Sequence, residues 1–176
     1  MEVRRIYTLL IYMILGIAYA VAQFPMGDMG GNATASAPSF VQPYAEESDE
    51  GWLEAEFPLV NAQFSWIPPV ANNASGVRYQ YDFSIKRVVP GQEVVDAAEW
   101  GTVAFRQQGL MTSMCMIPQS VVETLKNSGT EYFVAQVIAR PMSGNIEMIN
   151  DGKSQIMLLH FVPETVQHET DSIDNK

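Results

Sequence analysis

Few side chains in this 176-residue chain are of a type and spacing that could do chemistry: two histidines, one cysteine, a cluster of methionines and a short acidic run. A Ser/His/Asp or Cys/His nucleophilic site needs an imidazole within hydrogen-bond reach of a hydroxyl or thiol. His168 lies in a polar C-terminal tail, so such a site would need His160. His160 stands beside Leu158, opposite Met157, Leu159 and Phe161, and reads as a strand residue facing water. Glu93, Asp96 and Glu99 could pair as general acid and base, but their spacing is that of an exposed helical face. No Cys/His pairing has metal-ligand spacing, and no Gly-rich loop precedes a lysine-bearing helix. The thioethers of Met111, Met114 and Met116 are soft donors suited to copper(I). Methionines also fill irregular cores, the commoner use. Cys115, alone, forms no internal disulfide and is expected to pack as a small apolar residue. The expectation is a protein that is not an enzyme and carries no cofactor and no metal.

Binding needs anchors rather than reactive groups. Trp66 falls within an alternating apolar pattern and belongs to a core, whereas Trp52 and Trp100 lie outside clear alternation and are candidate surface anchors. Residues 68–76 and 141–154, rich in Pro, Gly and Asn, are candidate binding loops. Asn150 and Asp151, in the second loop, complete the candidate ligand surface of Trp52, Trp100, Asn150 and Asp151.

The elements that would position these residues are mostly strands. Over residues 77–86, Val77, Tyr79, Tyr81, Phe83 and Ile85 alternate with Arg78, Gln80, Asp82, Ser84 and Lys86. That is the period of a strand with one buried and one wet face, as in antiparallel sheets. Val60, Ala62, Phe64 and Trp66 repeat the pattern, ended by Pro68-Pro69. Further strands are expected at 52–57, 103–105, 110–117, 132–140 and 155–162. In the sixth, Phe133, Ala135, Val137 and Ala139 are expected to face inward, which leaves the apolar Val134 and Ile138 opposite. Residues 94–100 read as a helical turn or irregular crossover. A short helix is expected over 119–127, with Ser120 and Glu123 at capping-box spacing and Gly129 beyond its end. A small hairpin is expected at 146–149. About seven short strands separated by turns predict an all-β fold, a two-sheet antiparallel sandwich.

The order of these segments resembles a fibronectin type III domain, an immunoglobulin-like sandwich. Ala62-Gln63-Phe64-Ser65-Trp66 resembles its second strand with the core Trp, and Tyr79-Gln80-Tyr81-Asp82-Phe83 its third. Leu125, Gly129 and Tyr132 resemble the approach to its sixth. Asn150-Asp151-Gly152-Lys153-Ser154, followed by a strand closing on Phe161, is similar to the ending of the divergent TANFOR-like type found in exported proteins of Gram-negative bacteria. The resemblance covers residues 56–162. Two departures stand out. The family places a Tyr inward at the corner where parity here favours Phe133, so either a bulge lies at Tyr132-Phe133 or Phe133 takes that place. No Arg-Gly-Asp occurs, so integrin binding has no support.

The flanks set the compartment. Arg4 and Arg5, the apolar run 6–21 and Ala20-Val21-Ala22 read as a signal peptide over 1–22, cleaved before Gln23. The run is shorter than the ~20 residues that span a bilayer, so no stable membrane span is expected after cleavage. Residues 23–51 read as a flexible linker and 163–176 as a disordered acidic tail, flanking the domain at 52–162. Net charge is −10, yet residues 57–162 hold seven Lys/Arg against eight Asp/Glu. A near-neutral body without clustered Lys/Arg excludes nucleic acid as a partner. The sequons at Asn32 and Asn73 read as chance matches. The functional expectation is an exported, non-catalytic binding or accessory module at the cell envelope or outside the cell, its partner a protein or cell-surface component. The alternative is a structural subunit of a surface assembly.

Overall fold

The computed structural model describes residues 33–161. The expected signal peptide and acidic tail lie outside the described residues, as does the linker before residue 33. The described residues form eleven strands, two α-helices and a 3-10 turn at Ile149–Gly152. They are β1 (Ala33–Ala35), β2 (Ser39–Gln42), β3 (Glu46–Glu47), β4 (Leu53–Glu56), β5 (Gln63–Ile67) and β6 (Tyr79–Arg87). Then come α1 (Val94–Trp100), β7 (Val103–Leu110), β8 (Met114–Met116), α2 (Gln119–Lys126), β9 (Tyr132–Pro141), β10 (Ile146–Met148) and β11 (Met157–His160). Among the described residues no helix is long and apolar enough to cross a membrane.

The strands form a six-stranded sheet in the order β3-β4-β11-β9-β6-β7, a three-stranded sheet β2-β5-β8, and a two-stranded pair β1-β10. The fold is therefore β-rich, as expected, but not wholly antiparallel. β4 runs parallel to β11 and β1 parallel to β10. These partners come from distant parts of the chain, so no hairpin turn imposes opposite directions on them.

The core draws on the six- and three-stranded sheets together. Tyr79, Tyr81, Phe83 and Ile85 of β6 are buried, as are Phe64 and Trp66 of β5, Cys115 of β8, and Met157 and Leu159 of β11. Rings meet across the two sheets: Phe64 and Phe83 lie 4.9 Å apart, and Trp66 and Tyr81 5.3 Å apart. Phe133, Ala135, Val137 and Ala139 all face this core. Pairing of Tyr132 with His160 and Phe133 with Leu159 runs on without a shift, so no bulge intervenes. Phe133 takes the inward place, edge-on to Phe57 and Phe161, while Tyr132 is exposed.

The opposite face of β9 is also covered. Val134 packs with Ala97 and Ala98 of α1 in a second cluster, bordered by Val88, Val94, Ile156 and Leu158. The short helix thus accounts for Val134, one of the two apolar residues on the supposedly wet side of β9.

Several expectations are corrected. Residues 33–47 are not a flexible linker but contribute β1, β2 and β3, with Ala35 and Pro38 buried. Each is too short to show a period and borrows its ladder from β10, β5 or β4. Val60 is exposed, and Asn61 turns the chain with φ 50° before β5 begins. β7 is longer than expected and β8 shorter, because Leu110 ends the former. The capping box does not form: Pro118 is the N-cap of α2, and no side chain caps it. The 146–149 hairpin is replaced by β10 lying along β1. Met111, Met114 and Met116 do not fill the core; all three are exposed.

Candidate functional site

The outer face of the six-stranded sheet is left partly open beside α1, where a cleft of about 730 Å³ forms. Lys86 of β6 and Gln136 and Ile138 of β9 contribute from the sheet. Val95, Ala98, Glu99 and Trp100 contribute from α1, Trp52 from the chain just before β4, and Asn150, Lys153 and Gln155 from the loop before β11. Three of the four sequence-selected residues, Trp52, Trp100 and Asn150, therefore share one cleft. Asp151, exposed on the same loop, is not among its lining residues.

Each position has a local cause. The Trp52 N–H donates to Ser48 Oγ (3.3 Å), and its indole N–H donates to Glu54 Oε1 (3.1 Å), so the ring is half-buried and held. Trp100 ends α1 and is 78 % exposed, the most open of the three tryptophans. The next residue, Gly101, donates its N–H to Ala97 O, and a Cβ there would lie 2.3 Å from that oxygen. Only glycine lets the chain turn away so tightly behind Trp100.

Lys86 holds the end of the same helix. Its Nζ donates to the carbonyls of Ala98 (2.5 Å) and Glu99 (2.9 Å), satisfying helix-end acceptors with a cation at the negative end of the dipole. Burial pushes its pKa down, helped by the charges of Arg106 and Lys153 and opposed by Glu99.

On the loop side, Asn150, Asp151 and Gly152 take consecutive positive φ values of 54°, 51° and 73°. Asn and Asp tolerate the left-handed region better than most residues, and Gly adopts it freely. Asn150 Nδ2 donates to Lys153 O (2.9 Å), closing the turn. Ser154 is buried; its hydroxyl donates to Gln155 O and accepts the Val137 N–H, which fastens the loop to β9. The cleft is thus built on hydrogen-bonded supports.

The lining brings together two indole rings, the side-chain amides of Gln136, Asn150 and Gln155, Lys86 and Lys153, and Glu50 and Glu99, groups able to stack on or hydrogen-bond a ligand. His160 is half-buried, with its ring 6.5 Å from Tyr132 and outside this cleft. Among the described residues no three His, Cys, Asp or Glu side chains converge to hold a metal ion.

A second cleft, about 880 Å³, was not anticipated. Glu46, Glu47, Glu54 and Glu56 line it with Tyr44, Val60 and His160. In the sequence these glutamates are indistinguishable from solvating charge, because the pairing of Glu46 with Glu54 depends on the β3–β4 turn. No protein-family model, no curated protein and no solved structure matches the chain.

Proposed function

We propose that this chain is an exported, non-catalytic binding module that acts at the cell envelope or outside the cell, and that a protein or cell-surface component docks in the cleft beside α1. The observation that carries the reading is the convergence of Trp52, Trp100 and Asn150 on one cleft, with Trp100 left 78 % exposed. A large aromatic side chain held open at a concave site is the usual anchor of a binding surface.

The sheet order supports an immunoglobulin-like sandwich of the fibronectin type III kind. If β5, β6, β8, β9 and β11 are taken as strands B, C, E, F and G, then B pairs with E, C with F, and F with G, as in that fold. β7 then extends the second sheet beyond C. Such a sandwich presents ligands on loops and faces while its core stays closed.

The test is a panel of immobilised glycans and peptides of envelope origin, probed with the whole chain and with Trp100→Ala. The reading expects specific binding that weakens by about 30-fold in the variant, matching roughly 2 kcal/mol for an aromatic hot spot. Equal binding by both proteins would overturn it, provided both melt at the same temperature.

The alternative, a structural subunit of a surface assembly, rests on β7. It is an eight-residue edge strand, paired among the described residues only with β6. An assembly that adds a strand there would make the chain self-associate, which sedimentation reads directly.

A further inference from the structure

The methionine cluster remains unexplained by that reading. Among the described residues β8 is the outer strand of the three-stranded sheet and pairs only with β5. The Trp66 N–H donates to Ser113 O (3.0 Å), tying the start of β8 to β5. Cys115 points into the core, so alternation turns Met114 and Met116 to the other face, where they are 44 % and 56 % exposed. Met111 stands three residues earlier, in the bend that joins β7 to β8, and is 55 % exposed. The Thr112 hydroxyl donates to Met114 O (3.3 Å) and closes that bend.

Exposed edges are ordinarily kept short or blunted with charge; β8 is three residues long, and residues 110–117 include no charged side chain. Three thioethers within six residues face water in its place. Strand geometry separates the Cα atoms of Met114 and Met116 by about 6.6–6.8 Å. Unbranched methionine side chains have three rotatable bonds, enough for both sulfurs to reach one ion. Met111 supplies a third neutral sulfur from the adjoining bend. Soft thioether donors select Cu(I) over harder divalent ions.

We propose that Met111, Met114 and Met116 form a surface site for a soft monovalent cation, Cu(I), held by three thioethers. Cys115 takes no part, being buried on the opposite face with its thiol directed to Gln107 Oε1 (3.2 Å).

The experiment titrates the whole chain with Cu(I) in ascorbate against bicinchoninate, and separately with Ag(I) while the methionine methyl resonances are followed. The wild-type chain should remove Cu(I) from the chelator, and Met114→Leu/Met116→Leu should bind at least roughly tenfold more weakly, since even outer-shell changes cost that much. Leucine at exposed positions nearly conserves volume, so these variants should melt like wild type. Ag(I) should shift the methyls of Met111, Met114 and Met116 and leave the buried Met157 unmoved. Undiminished Cu(I) binding by the triple leucine variant, or Ag(I) shifts confined to other methionines, would overturn the proposal.

Discussion

Trp66 of β5 lies over Phe83 of β6, the two rings 6.2 Å apart and only 6° from parallel, so the three- and six-stranded sheets are joined by stacked aromatic faces. The indole N–H of Trp66 is buried without a hydrogen-bond partner. Trp66→Ala should therefore cost roughly 3–5 kcal/mol, from lost packing and the cavity left behind. Trp66→Phe should cost under about 1.5 kcal/mol, because it keeps a ring and removes an unsatisfied donor worth about 1–3 kcal/mol. Chemical denaturation of both variants checks the pair; equal losses would show that the N–H is satisfied after all.

Asp82 sits on the far side of β6 from that ring stack, buried among polar partners. It accepts the Gly109 N–H (3.1 Å) and an Arg140 guanidinium hydrogen bond (2.6 Å). Burial raises its pKa, but these hydrogen bonds and the Arg140 charge together outweigh burial and leave it lowered. A lowered pKa stabilises the fold above the unfolded-state value and loses that contribution as pH falls through the folded one. The melting temperature of wild type should thus fall faster than that of Asp82→Asn below about pH 4. Arg140 is half exposed but its partner is buried, so Arg140→Ala should cost about 1–3 kcal/mol at neutral pH, mostly by leaving the Asp82 carboxylate short of a partner.

Cys115 should be inert in the native chain. Burial pushes its thiol up to about 11. A raised pKa means the unfolded state deprotonates first, so stability should decline as pH rises from about 9 and through that value. Reaction with a disulfide reagent at pH 8 should track global unfolding, and rapid labelling of folded protein would contradict the burial of β8's inner face.

Gly152 is the tightest point behind the candidate cleft. Its φ is 73°, and a Cβ would lie 2.2 Å from Ala139 O. Gly152→Ala should lose about 1–3 kcal/mol from backbone strain alone and shift the Asn150 turn. Gly51 also has positive φ but open space around it, so Gly51→Ala should carry strain without a clash. Thermal melts of the two variants should separate by more than the scatter of repeat scans.

How much was legible follows from what each signal depends on. β6 announced itself because the ten residues 77–86 keep one period, and β9 announced its inner face for the same reason. Val134 breaks the parity of β9 because α1 covers that side of the strand. β1, β2 and β3 span two to four residues each, too few for periodicity, and exist because other strands offer them a ladder. Trp52 and Trp100 were findable as aromatic residues outside any pattern. Lys86, Gln136 and Ile138 were not, since they lie on a sheet face read only as wet and become cleft residues through the placement of α1. The methionines were visible, but which way β8 faces was set by its pairing with β5.

The most direct test of the central claim uses 5-fluorotryptophan, since the chain has three tryptophans, two in the cleft and one in the core. The fluorine spectrum is followed while a ligand drawn from the glycan and peptide panel is titrated in. The account predicts that the resonances of Trp52 and Trp100 move together along one saturation curve while that of Trp66 stays in place. Saturable binding that leaves both cleft tryptophans unmoved would contradict it.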